Sequence, residues 1–124
     1  MAKITRKDNL QFETKGGNVR VTVEVGNGQF VNTFIKLGTK SVAFGPLINN
    51  LIVGSQADCK GKVLFVESNC TDVNSQTDSI PISVTISDDN QSVKVYDTFN
   101  GPASENTVGT NGGSLIYELF ITIS

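Results

Sequence analysis

Apolar residues recur at every second position in stretch after stretch of this chain, and that period commits it to β-strands. Val19, Val21, Val23 and Val25 share one side of an extended segment, and Ile80, Ile82, Val84 and Ile86 share one side of another. On a helix, which repeats near 3.6 residues, the same positions would scatter around the axis and form no single buried stripe. The chain is therefore read as all-β, with sheets that bury one face and wet the other.

Length sets the number of bodies. A chain of 124 residues makes one domain, 1–124, large enough to bury roughly two-thirds of its unfolded surface. Only 18% of residues are charged, and Ser, Thr, Asn and Gly fill many of the other polar positions, as turns and wet strand faces require. Residues 18–25 alternate cleanly, and Gly26, Asn27 and Gly28 supply the positive φ angles of a tight reversal into 29–37. Further strands are read over 41–44, 62–70, 79–87, 92–99 and 114–124, with a short initial pair, 2–6 and 10–14, turning at Asp8 and Asn9. Residues 47–53 are too few for a stable helix and are read as a strand or connector. Val63, Leu64, Phe65 and Val66 are apolar without interruption, which predicts a central strand covered on both faces.

About seven or eight short strands at intervals of roughly 8 to 12 residues point to an antiparallel β-sandwich, with immunoglobulin-like topology favoured on that spacing alone. The hallmark core tryptophan of that topology is missing, because the chain has no Trp. Cys59 and Cys70 flank the 62–70 strand, whose extended length of roughly 30 Å far exceeds the ~7 Å between Cα atoms that a disulfide spans. Two reduced thiols are expected.

The chain has no histidine. That removes Ser-His-Asp and Cys-His nucleophile systems, imidazole metal sites and the usual proton shuttle, so the expectation is a protein that binds and does not catalyse. A net charge of −2 gives no general attraction for phosphate backbones, which argues against nucleic acid. The charge is unevenly spread: residues 1–40 hold seven Lys or Arg against three Asp or Glu, and residues 41–124 hold three against nine. Complementary patches of this kind steer copies of a chain together. The strand at 114–124 adds an apolar row, Leu115, Tyr117, Leu119, Ile121 and Ile123, that must pair within its sheet or across subunits. A self-associating subunit is the leading expectation, with that row as its interface.

The alternative is a ligand-binding module for a glycan or protein, using the polar loops 71–78 and 100–113. Asp72, Asn74 and Asp78, with the second acidic turn at Asp88 and Asp89, offer the oxygen ligands that calcium prefers if the two loops meet at one end of the sandwich. Phe99, Asn100, Asn106 and Asn111 are the candidate ligand contacts of the long loop, and the other phenylalanines are assigned mostly to the core. No cofactor besides calcium is indicated. A pore-forming role draws on the Ser/Thr alternation of 79–87, but Pro81 interrupts that ladder. No stretch reaches the ~18 to 20 apolar residues of a membrane-spanning helix. Residues 1–15 open with basic residues but have no apolar run after them, which leaves the compartment open between the cytoplasm, export without a cleavable signal and a chain already trimmed of one.

Overall fold

The computed structural model describes residues 3–74, 76–77, 79–98, 107–108 and 112–124. Among them the chain forms β1 (Lys3–Phe12), β2 (Asn18–Val25), β3 (Phe30–Leu37), β4 (Lys40–Gly45), β5 (Ile48–Ser55), α1 (Gln56–Cys59), β6 (Val63–Thr71), β7 (Ile82–Asp88), β8 (Val93–Asp97) and β9 (Ser114–Ile123). Two sheets result. One has five strands in the order β1-β9-β6-β3-β4, the other four in the order β5-β2-β7-β8. Every neighbouring pair is antiparallel except β1 and β9, which run parallel in an unbroken ten-residue register. The chain is a β-sandwich; these strand orders do not by themselves establish the immunoglobulin-like topology favoured from the spacing.

The two-residue period explains the core. Val19, Val21 and Val23 of β2 and Ile82, Val84 and Ile86 of β7 point inward from the four-stranded sheet. Ile35 and Leu37, Leu64 and Val66, and the row Leu115 to Ile123 answer from the five-stranded sheet. Two hydroxyls interrupt this apolar layer without cost, because Thr33 and Ser68, both buried, hydrogen-bond each other at 3.1 Å. Tyr117 is also buried and donates its hydroxyl to the Ile80 carbonyl at 3.0 Å. Cys59 and Cys70 are buried free thiols, and burial pushes Cys70 up to about 12. Gly17 sits at φ +80°, where a Cβ would lie 2.5 Å from the Asp89 Cβ, so the link into β2 admits no side chain there.

Four expectations change. Residues 2–6 and 10–14 are not a hairpin: Asp8 and Asn9 continue one strand, because the ladder to Leu119 and Phe120 of β9 supplies their partners. The strand read at 79–87 begins at Ile82; Pro81 lies just before it, where a missing N–H costs nothing, and its carbonyl accepts from Gly26 at 2.9 Å. The four-residue helix α1 was not anticipated, although Ser55 and Asp58 form a reciprocal capping box at its start. Finally, β6 is central in its sheet but covered on one face only, since Val63 and Phe65 point outward and Val63 is 41% exposed.

Candidate interaction surface

The inward row Leu115, Tyr117, Leu119, Ile121 and Ile123 is at most 1% exposed. β9 has a strand on each side, β1 and β6, so its backbone groups are taken and its apolar row is core. These five residues therefore present nothing to another subunit. Of the two pairings left open by the sequence, within the sheet or across subunits, the structure shows the first, with β9 lying between β1 and β6.

The acidic loops do not meet. Asp88 and Asp89 lie beside Val19 and Asn18 at the start of β2, whereas Asn74 donates to the Asn27 carbonyl beyond the end of the same strand. Eight extended residues, roughly 25 Å, separate the two groups. Asp88, Asp89 and Asn74 are also occupied internally. Asp88 accepts hydrogen bonds from Thr14 Oγ1, Lys15 N, Asn90 N and Ser92 N at 2.6 to 3.0 Å. Burial pushes its carboxyl up, but these four donors outweigh that and hold it below the usual range. Asp89 accepts from Asn18 N and Arg20 Nε, and these bonds lower it too. The loop after β6 is organised around buried Gln29, whose Oε1 accepts from Val73 N and Asn74 N and whose Nε2 donates to the Thr77 and Ser79 carbonyls. Asp72 extends the inward row of β6, and both its carboxyl oxygens are buried with no hydrogen-bond partner among the described residues. Among the described residues no group of three or more His, Cys, Asp or Glu gathers as a metal ligand set. Asp78, Phe99, Asn100, Asn106 and Asn111 lie outside the described residues.

The surface that stands out is one the sequence did not single out. Antiparallel and parallel registers together set the outward residues of the five-stranded sheet in rows. Lys7, Glu118, Glu67, Phe34 and Phe44 form one row across all five strands. Asn9, Phe120, Phe65 and Lys36 form the next, and Thr5, Ile116, Asn69 and Asn32 lie on the other side. Phe30, paired with Thr71, completes the aromatic set. Five of the seven phenylalanines thus face outward, against the expectation that most of them fill the core; among the described residues only Phe12 is inside. Phe44 is 72% exposed and Phe30 49%. Phe65 and Phe120 pack ring to ring at 5.1 Å. Between Phe30, Phe34 and Phe44 lies a shallow depression of about 260 Å³ also lined by Asn32, Asn69, Glu67 and Thr71, and the Asn32 Oδ1 is buried without a hydrogen-bond partner among the described residues.

The opposite outer face is built differently. Arg20, Thr22 and Glu24 of β2 pair with Ser87, Thr85 and Ser83 of β7, a hydroxyl and charge lattice suited to water. Its exposed apolar residues, Ile52, Val93 and Val95, stand on the edge strands β5 and β8. A third feature, a cleft of about 420 Å³ between β1 and β8, is lined by Arg6, Asp8, Asp97 and the two tyrosines among others. No helix among the described residues is long and apolar enough to cross a membrane. Compared with family models, curated proteins and solved structures, the chain matches none.

Proposed function

We propose that this chain is a non-catalytic interaction protein, a subunit of a larger assembly that works through the outer face of its five-stranded sheet. The observation that carries this reading is the contrast between the two outer faces: one has a central lattice of Ser, Thr, Arg and Glu with aliphatic Ile52, Val93 and Val95 on its edge strands, the other holds five aromatic rings, Phe30, Phe34, Phe44, Phe65 and Phe120. Aromatic side chains lose most by staying wet and gain most from a partner surface, which is why they dominate interface energetics. A photo-crosslinking residue placed at position 44 tests it in the cells that make the protein, with the same residue at position 85 as control. Adducts are expected from 44 and not from 85; none from 44, or equal yields from both, would overturn the reading.

A second reading, a glycan-binding module, draws on the Asn32 Oδ1, which has no partner among the described residues, in an aromatic-edged depression. Sugar hydroxyls would supply its missing donor, and the phenylalanine faces would stack on a pyranose ring. Thermal melts against a panel of oligosaccharides test it: a stabilising shift that disappears in Asn32→Ala supports it, and no shift across the panel rejects it.

A further inference from the structure

We infer that the occupant of this face is a second copy of the chain, docked sheet on sheet about a two-fold axis. The inference rests on the reading above and names the partner. Its first support is charge. The face carries Lys7 and Lys36 against Glu67 and Glu118, with Lys3 at one corner, and neither ion pair found among the described residues engages any of them. A partner of one sign would bury half of these charges unmatched, which is costly. A copy of the same face brings both signs.

The second support is their placement. Lys36 stands on β3 in the row of Phe65, and Glu118 stands on β9 in the row of Glu67. The two lie diagonally across β6, at equal distances from the point midway between Phe65 and Glu67. A two-fold axis in the plane of the interface, through that point and perpendicular to the diagonal, exchanges their positions. Each Lys36 then seats on the partner's Glu118, twice per interface, as isologous pairing requires. The same operation lays Phe120 against the partner's Phe65.

Size is the third support. Five strands at ~4.8 Å and about eight residues at ~3.3 Å give a face of roughly 24 by 27 Å. That is about 650 Å² before side-chain relief, close to the ~800 Å² per partner of a stable interface.

Sedimentation equilibrium at tens of micromolar tests the proposal on the full chain. The wild type is expected at twice the chain mass. Lys36→Glu alone sets Glu against Glu in both contacts, and Glu118→Lys alone sets Lys against Lys, so each variant is expected to sediment as a monomer. Mixed in equal amounts, the two variants restore both opposite-charge contacts and are expected to return to the dimer mass as a heterodimer. Because only folded monomers can recombine, the mixture also shows that neither substitution merely unfolds the chain. A wild type that stays monomeric, single variants that remain dimeric, or a mixture that stays monomeric would each overturn the two-fold. Should the crosslinker at position 44 still capture a partner of another mass, the interaction reading survives while this inference falls.

Discussion

Glu67 and Glu118 stand directly opposite each other across the β6–β9 ladder, side chains on the same outer face, and neither belongs to an ion pair among the described residues. Like charges at facing positions on adjacent strands oppose the pairing that brings them together. The folded chain accepts this repulsion at the centre of its most aromatic surface.

Removing one of the two charges should therefore stabilise the isolated chain. Glu67→Gln keeps the shape and is expected to raise stability by about 0.2 to 1 kcal/mol in dilute, low-salt solution. The gain should fade near 1 M salt, where the screening length falls to about 3 Å. Urea denaturation at both salt concentrations measures it, and equal stability of variant and wild type at low salt contradicts the account.

Asp88 predicts the acid behaviour. Its carboxylate joins the β1–β2 link, through Thr14 and Lys15, to the β7–β8 turn, through Asn90 and Ser92. Its folded value is lowered, so its contribution is present above the unfolded value of about 4 and is lost as pH falls through the folded one. Asp88→Ala should cost about 2 to 3 kcal/mol at neutral pH, as for charged hydrogen bonds. It should also flatten the loss of stability on acidification. Denaturation series at pH 7 and pH 3 provide both readouts.

Cys70 governs the other limb. Burial raises its thiol from 9.0 to about 12, so the folded state keeps a proton that the unfolded state releases. Stability is fully present below pH 9 and should decline between 9 and 12, by up to about 1.4 kcal/mol per pH unit from this group. Tyr117, also raised by burial, and Cys59, raised by burial and by Asp58, act in the same direction. Cys70→Ala should lower neutral-pH stability by opening a small cavity, yet reduce the alkaline slope. Urea melts at pH 7, 9 and 10 separate the two effects.

Asp72 should be a site of easy stabilisation. Its two carboxyl oxygens are buried without partners among the described residues, at the end of the inward row Leu64, Val66, Ser68 and Cys70. An apolar replacement of similar size, Asp72→Leu, is expected to gain about 1 to 3 kcal/mol, the ordinary penalty of an unsatisfied buried group. A loss of stability in the thermal melt would mean that this carboxyl has a partner in the folded chain.

The sandwich was legible because burial on one side of a strand writes itself as a two-residue period, and Val19 to Val23 and Leu115 to Ile123 carry it without error. What surrounds a strand is not written there. Asp8 and Asn9 carry turn chemistry, yet the ladder to β9 holds them extended. Ile116 and Phe120 alternate with the core row of β9, but nothing in their spacing says whether a second layer covers them. The same silence hid the aromatic face: Val63 and Phe65 beside Leu64 and Val66 read as a strand buried twice over, when only alternate residues are inside. Asp88 is a ligand candidate by composition, while two of its four partners, Thr14 and Lys15, lie more than seventy positions away. The capping box of Ser55 and Asp58 was the one available signal for α1, in a segment too short to show a helical period.

The parallel pairing of β1 with β9 also sets the order in which the molecule can be completed. Until residues 114–123 have left the ribosome, β1 has no neighbour in its sheet and one side of β6 stands open. A nascent chain must keep Ile4, Leu10 and Phe12 from straying for more than a hundred residues of synthesis, with their only strand partner still unmade. Completion of this sheet thus waits for residues 114–123, and a product stalled or cut before them would leave Ile4, Leu10 and Phe12 without that cover.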